Sequence, residues 1–165
     1  MPKGILIQIP TGSNKTYFLK KLSKKDKKIW LDGEKILKKF GIKNKMQYWY
    51  DNNNDYNEKV EKIQRIFKQI LNKGFNILFS GNPLKINTDI IIIPNMNDRW
   101  DQLQRNKKNG LWIPNESLFS QELLSYEKAA LITPIVINGD IPDIKTLNSF
   151  NYHFNFKNKI NTILS

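Results

Sequence analysis

The sequence contains no cysteine and a single histidine, His153, among its 165 residues. Without cysteine the chain forms neither disulfides nor thiolate metal sites, which is compatible with a reducing cytoplasm. One histidine argues against a histidine metal site, and we expect His153 to be a surface or half-buried side chain. No apolar run approaches the roughly 20 residues that span a bilayer, and the N-terminus lacks the apolar core of a signal peptide. We therefore expect a cytoplasmic protein with no membrane span.

Arginine is also scarce: only Arg65, Arg99 and Arg105 occur among the 27 basic residues. The net charge of the chain is +12. Lysine carries the rest, beside many Asn and Ile residues, a bias that an AT-rich genome produces. Two explanations stay open: a functional polyanion surface with nucleic acid as partner, or composition alone. Membrane-surface binding is disfavoured, because no segment has a basic face opposite an apolar face.

Five short apolar runs are each closed by Gly, Pro, Asn or Asp. Their apolarity is continuous rather than alternating, which is typical of strands buried on both faces of a parallel sheet. The segments between them have helical spacing, clearest in residues 57–74, and this alternation predicts one α/β domain over residues 1–165. The five runs are GILIQIP, KIWLDG, FNILFSG, DIIIIPN and ITPIVINGD, and the helical face is Val60, Ile63, Ile66, Phe67, Ile70 and Leu71, ended by Gly74.

The connections differ in length. Residues 50–57 (YDNNNDYN) are predicted to be a polar loop, and residues 23–28 (SKKDKK) a solvated one. Residues 106–120 are longer than an ordinary connection, so we expect a lid or binding loop within a lid-like segment over about 98–120. The tail, residues 151–165, has the pattern of a last strand or turn followed by a short helix.

Residues 9–16 (IPTGSNKT), here called the phosphate loop, end like a phosphate-binding motif between a strand and a helix. The motif G-x-x-x-x-G-K-[ST] would place glycine where this chain has Ile9 and Asn14. Asn is the best-tolerated non-glycine residue at positive φ, whereas a branched Ile fits a turn poorly. Lys15 would neutralise phosphates and the Thr16 hydroxyl would bind magnesium. The alternative is a plain strand-to-helix turn. The cofactor-binding set is Thr11, Gly12, Ser13, Asn14, Lys15 and Thr16.

Several segments resemble adenylylsulfate kinases and related P-loop kinases. GILIQIPTGSNKTYFLKKL resembles their opening, WLDGEKILKKFG their L-D-G-D-N segment, and NEKVEKIQRIFKQILNKGFNILFS the following helix and strand. RNKKNGLWIPNE is similar to their lid, and YEKAALITPIVINGDIPDIKTLNSF to their closing segment. The resemblance runs along nearly the whole chain and is shared with polynucleotide 5′-kinases and nucleoside monophosphate kinases.

The resemblance implies a kinase-type P-loop NTPase fold, a three-layer α/β sandwich with a five-stranded parallel sheet in the order 2-3-1-4-5. It implies ATP and Mg²⁺ as cofactors and ATP-dependent phosphotransfer to a small nucleotide-like acceptor, such as adenylylsulfate or a nucleoside monophosphate. The predicted catalytic residues are Lys15, Asp32, Arg99 and Arg105; the predicted substrate-binding residues are Asp32, Gly33, Arg65 and Ser80.

Most of these residues have a structural alternative. Asp32 follows the second strand and would accept the acceptor's proton, or hold the acceptor or a magnesium water, but Asp is also a preferred N-cap. Arg99 and Arg105 would close a lid over the transferring phosphate, or lie on a surface helix where Asp101 pairs with Arg105. Arg65 would reach the acceptor or be solvated.

The aromatic residues Trp112 and Tyr48 to Tyr50 would stack on a base or serve packing. Glu34 replaces a second Asp of the kinase pattern, and Ser80 stands where many kinases place an acid. The departures at Ile9, Asn14 and Ser80 favour one further hypothesis, a catalytically degenerate P-loop protein that serves as a structural or nucleic-acid-binding subunit of a larger assembly such as a viral one. A kinase acting on a polynucleotide 5′ end or a modified DNA base is the other alternative.

Overall fold

A computed structural model describes residues 3–51 and 53–164, with the backbone alone for residues 156–164. Five parallel strands form one sheet in the order β2-β3-β1-β4-β5. All five apolar runs therefore supply a strand, and the predicted sheet and strand order are confirmed. The strands are β1 Leu6–Gln8, β2 Trp30–Asp32, β3 Asn76–Phe79, β4 Ile90–Ile93 and β5 Ile135–Asn138.

Helices follow the strands and lie on both faces of the sheet. Asparagine side chains accept amide hydrogen bonds at the starts of three helices, at Asn53, Asn95 and Asn115, because Asn is a preferred N-cap. None of the helices within the described ranges is both long and apolar enough to cross a membrane. The helices are α1 Lys15–Lys20, α2 Lys24–Lys27, α3 Gly33–Lys39, α4 Met46–Tyr50, α5 Asn54–Asn72, α6 Met96–Lys108, α7 Glu116–Ala129 and α8 Ile144–Leu164.

The central strand β1 divides the core into two halves. Leu6 packs with the apolar face of α5 on one side of the sheet, and Ile5 and Ile7 pack with Leu22 and residues of α8 on the other. Within α5 the predicted face is confirmed, with five side chains buried and Ile70 partly buried against them. This double burial is why the strands have no polar alternation.

The predicted long loop at residues 106–120 is wrong. Helix α6 continues to Lys108, and α7 begins at Glu116 with Asn115 as its cap, so the connection covers only residues 109–115. Asn115 accepts a hydrogen bond from the Leu118 amide at 2.9 Å. This cap starts the helix before the apolar spacing becomes visible in the sequence.

Three further predictions, of two loops and of the tail, are also wrong because helices occupy more of these segments. The predicted polar loop over residues 50–57 is too long, because α4 continues to Tyr50 and α5 begins at Asn54 with Asn53 as its cap; residue 52 lies outside the described residues. Residues 24–27 form helix α2 with Ser23 as its cap. The tail has no strand or break, because α8 runs without interruption from Ile144 to Leu164.

Candidate functional site

Two residues of the phosphate loop have left-handed backbone conformations. Gly12 has φ 79° and Asn14 has φ 63°, and Asn14 is the one non-glycine residue with positive φ within residues 3–51 and 53–164. Turns that contain left-handed residues can form anion-binding nests of backbone amides. Helix α1 begins at the next residue, Lys15. The left-handed conformation expected at Asn14 is confirmed.

Ile9 does not occupy a turn. Its side chain is buried with Ile5 and Ile7 on the α8 side of the sheet. Its amide donates a hydrogen bond to the Phe79 carbonyl at 3.0 Å, which prolongs the pairing of β1 with β3. The expected misfit of a branched side chain does not arise, because the chain turns only after this residue.

The loop packs closely against α6 and leaves one buried polar group without a partner among the described residues. A Cβ on Gly12 would collide with Leu103 of α6, so glycine lets α6 lie directly against the loop. The buried Ser13 hydroxyl has no hydrogen-bond partner among the described residues. A buried polar group normally has a partner, and a phosphate oxygen in the loop would supply one.

Lys15 and Asp32 form the centre of the site. The Lys15 Nζ lies 3.0 Å from Asp32 Oδ1 and 3.6 Å from Glu34 Oε1. The Lys15 and Asp32 side chains are 9% and 10% exposed, whereas that of Glu34 is 51% exposed. Desolvation strengthens the attraction between the first pair. Thr16, the predicted magnesium ligand, is exposed in the first turn of α1.

Asp32 is also the N-cap of α3, as predicted. Its Oδ1 accepts the Glu34 amide at 3.0 Å as well as Lys15. Its Oδ2 takes part in none of the hydrogen bonds of the described part of the chain and stays available to an acceptor. One carboxylate can therefore cap a helix through one oxygen and act on a substrate through the other.

Gly33 and Ser80 lie at the same carboxyl edge of the sheet. A Cβ on Gly33 would lie 2.5 Å from Phe79 Cδ1, so glycine permits α3 to start against β3. Ser80 follows β3 and is buried, and its carbonyl accepts Asn44 Nδ2 at 3.2 Å. Asp32 is paired with Leu78 in the sheet, which places these residues on neighbouring strand ends.

Arg99 forms a buried connection that the sequence did not indicate. Its Nε donates to the Thr11 carbonyl at 2.9 Å, and its Nη2 donates to Glu122 Oε1. Glu122 Oε2 in turn accepts the amide of Thr11 at 3.2 Å and its hydroxyl at 2.9 Å. Hydrogen bonds that join Thr11 to Arg99 and Glu122 thus connect the phosphate loop to α6 and α7. The one sequence signal is that Glu122 shares a helix face with the buried Tyr126 and Ala129.

Burial shifts the pKa values of the ionisable groups in and around the Arg99–Glu122 ion pair. It raises the pKa of Glu122, against the opposing effects of the Arg99 charge and the Thr11 hydrogen bonds. Burial also raises the pKa of Tyr50 and of Tyr126, and the Glu122 charge adds to both shifts. Both phenols therefore stay protonated. The Tyr50 hydroxyl lies 3.3 Å from Ser125 Oγ, beside the ion pair.

The other two arginines, Arg65 and Arg105, take no part in the contacts described for Arg99 and Glu122. Arg105 is exposed on α6, which confirms the surface helix, but it donates to Gln102 Oε1 at 2.7 Å rather than pairing with Asp101. Arg65 is exposed on α5. None of the hydrogen bonds or ion pairs of the described residues joins Arg65 to Lys15 or Asp32.

The predicted aromatic group divides. Tyr48 and Trp49 are buried, and the Trp49 ring lies 5.6 Å from that of Phe79, which confirms packing for this pair. Trp112 is 62% exposed in the connection between α6 and α7, so it is not part of the core, and both lid packing and base stacking stay predictions. His153 is exposed on α8, as expected.

A cavity of about 460 Å³ adjoins the phosphate loop and was not predicted. It lies between α1 and the start of α8, where Ser13 and Asn14 form part of its lining. Its apolar lining comes from Tyr17, Phe18, Leu22, Ile141 and Ile144. The cavity brings together residues more than a hundred positions apart, so no local pattern reveals it.

No family model matches this chain, and no curated protein matches it. Among solved structures, a shikimate kinase from Acinetobacter baumannii in complex with shikimate superposes with a TM-score of 0.53, over 96% of each chain and at 15% identity. This chain has the P-loop kinase fold. At this identity the likeness shows the fold alone, so the acceptor has to be inferred from the site.

The residues present fit a nucleotide with magnesium. The loop offers amides, Lys15 and an unpartnered hydroxyl to phosphates. No cluster of three or more His, Asp or Glu side chains able to hold a metal occurs within residues 3–51 and 53–164. The residue that would hold Mg²⁺ is Thr16, whose side chain is exposed in the first turn of α1, because Mg²⁺ is usually bound through one or two protein oxygens together with substrate phosphates.

Replacing Asn14 with glycine should leave the free energy of unfolding within about 1 kcal/mol of wild type, because glycine takes the observed φ without strain. Asn14→Val should cost about 1–2 kcal/mol or more at this left-handed position. Urea denaturation measures both. Loss of nucleotide binding in the folded Asn14→Gly variant would show that the Asn14 side chain itself contacts ligand.

Proposed function

We propose that this protein is an ATP-dependent phosphotransferase acting on a small nucleotide-like acceptor, such as adenylylsulfate or a nucleoside monophosphate. The observation that carries the proposal is the Lys15–Asp32 pair at the end of the phosphate loop. It places the cation expected at phosphates beside a carboxylate at the carboxyl edge of the sheet, where α/β folds bind their ligands.

Two surfaces of the protein are complementary to a donor nucleotide, one for its phosphates and one for its base. The loop amides and Lys15 would hold the phosphates, and the Thr16 hydroxyl would hold magnesium, which would neutralise phosphate charge. The apolar cavity beside Ser13 is of a suitable size for a nucleotide base. Its tyrosine and phenylalanine side chains offer apolar surface to a purine ring.

On the acceptor side, Asp32 Oδ2 would accept the hydroxyl proton or orient the acceptor. When phosphate binds, Lys15 would turn from Asp32 toward it, which would free the carboxylate oxygen for the acceptor. Gly33 and Ser80 border this position. Arg99 and Arg105 would close over the transferring phosphate; Arg105 is exposed, whereas Arg99 is buried and bonded to Thr11 and Glu122. Arg65 is an acceptor contact only if a bound acceptor reaches α5.

A polynucleotide 5′ end is a second acceptor, favoured by the lysines around β2 that are described below. The degenerate alternative keeps its support from Asn14 and Ser80, whereas the buried side chain of Ile9 lies before the turn of the loop. A screen for ADP release separates these cases. Its acceptors are adenylylsulfate, nucleoside monophosphates, shikimate and an oligonucleotide with a 5′-hydroxyl end.

Lys15→Ala should abolish stabilisation by ATP and magnesium. A ligand at 100 times its Kd stabilises the native state by about 2.7 kcal/mol, and the loss of the phosphate cation should remove most of this gain. A thermal-shift titration measures it. Lys20→Ala, a change of one exposed lysine at the end of the same helix, should keep the full shift. An undiminished shift in Lys15→Ala would overturn the nucleotide site.

A further inference from the structure

The lysines are not spread evenly along the chain. Residues 20–45 contain eleven lysines and three acidic residues, a net charge of +8. The other 139 residues contain sixteen basic and twelve acidic residues, a net charge of +4. A compositional bias alone would distribute the excess along the chain. The concentration in one segment is the first sign of a localised polyanion surface.

The fold gathers this segment around one edge of the sheet. Helices α1, α2 and α3 all contact β2, the edge strand of the sheet, which is paired with β3. All eleven lysines are exposed. On α3, Lys35 is separated from Lys38 and Lys39 by three and four positions, so the three share a helix face. The eleven lysines, here called the basic surface, are Lys20, Lys21, Lys24, Lys25, Lys27, Lys28, Lys35, Lys38, Lys39, Lys43 and Lys45.

We infer that the basic surface binds single-stranded nucleic acid. Like charges at this density repel one another, and a polyanion that displaces their counterions relieves the repulsion. Aromatic side chains occur among the lysines. Phe40 is 53% exposed at the end of α3, and Tyr17 is 60% exposed with Lys21 Nζ 4.1 Å from its ring centroid. Exposed aromatic rings between lysines are the arrangement on which unpaired bases stack.

An anionic membrane suits this surface less well. Lysines attract anionic lipid headgroups, but a helix that lies in a bilayer surface also buries an exposed apolar face in it. On α3 the apolar residues Ile36 and Leu37 are buried in the core, and α2 has four residues, none of them buried or hydrophobic. The surface therefore offers charge and stacking but no apolar face to insert.

The basic surface reaches the candidate site. Asp32 ends β2 and caps α3, the helix that carries Lys35, Lys38 and Lys39. A strand lying along α3 would run toward the Lys15–Asp32 pair. Binding itself requires no phosphotransfer, so it can be measured without nucleotide and stands or falls separately from the proposed function.

The test uses the full chain and a fluorescein-labelled dT20 oligonucleotide, with anisotropy measured across salt concentrations. The test variant is Lys35→Gln, Lys38→Gln and Lys39→Gln together. The matched control is Lys62→Gln, Lys68→Gln and Lys73→Gln, which removes three exposed lysines along α5. Wild type should bind with a steep salt dependence. The α3 variant should lower the slope of log Kd against log salt by about 2, since each phosphate contact on a single strand contributes about 0.7. The control should leave the slope unchanged.

Phe40→Ala tests stacking separately from charge. It should weaken dT20 binding by about 5- to 150-fold, the loss expected for one stacked base, and leave the salt slope unchanged. Three results would overturn the inference: equal loss in the α5 control, tighter binding to phosphatidylserine vesicles than to dT20, or no effect of Phe40→Ala. Circular dichroism of each variant checks that it is folded.

Discussion

Replacing Asp32 with asparagine should lower phosphotransfer by about 10²–10⁴-fold, the usual contribution of a positioned general base. The amide oxygen of asparagine can still accept the Glu34 amide, and asparagine caps helices about as well as aspartate. ATP binding should persist or tighten, because Lys15 loses the carboxylate that competes with phosphate for it. Single-turnover transfer and a nucleotide titration measure the two effects.

Asp32→Ala is the companion variant, because it removes the cap together with the charge. It should cost about 0.5–2 kcal/mol of stability that Asp32→Asn does not. Transfer at the wild-type rate in Asp32→Asn would show that Asp32 is only a cap. If wild type binds ATP and transfers phosphate to none of the acceptors in the screen, the degenerate hypothesis replaces the enzyme.

Arg99→Met should destabilise the protein by about 3–5 kcal/mol, because it leaves the Glu122 carboxylate buried without its partner. The variant also loses the hydrogen bond to Thr11 and the contact of the guanidinium, 4.3 Å above the Phe119 ring. Urea denaturation measures the loss. Arg105→Met, on the same helix but exposed, should change stability by no more than about 0.5 kcal/mol.

The loss at Arg99 should depend on pH in a definite direction. Burial already raises the pKa of Glu122 with Arg99 present, and removal of the positive charge raises it further. A carboxyl with a raised folded-state pKa is tolerated while protonated, and stability is lost as pH rises through that pKa. The destabilisation should therefore be larger at pH 8 than at pH 5.

Adding Glu122→Gln to Arg99→Met should recover part of the stability, because no buried charge remains and the glutamine oxygen can still accept from Thr11. Nucleotide affinity at a temperature where both variants are folded reports whether the network also positions the loop. A double variant as unstable as Arg99→Met would show that the guanidinium stabilises mainly through Thr11 and Phe119.

Much of the fold was predictable because its signals are local. The five apolar runs gave the five strands, since double-sided burial requires continuous apolarity within a few residues. The face of α5, the cap at Asp32 and the positive φ at Asn14 depend on neighbours a few positions away. The loops were overestimated where one Asn cap, such as Asn115, began a helix ahead of its apolar pattern.

The sequence by itself therefore determined the parallel sheet, its alternation with helices, and a loop with a left-handed residue at Asn14 between β1 and α1. Only the tertiary structure decided what holds that loop: Arg99 and Glu122 reach Thr11 across 88 and 111 positions of the chain. The tertiary structure also decided the cavity between α1 and α8 and the position of the basic surface around the edge strand β2. Periodicity reports which side of an element is buried, whereas pairing between distant side chains follows from how the layers pack, which no local pattern records.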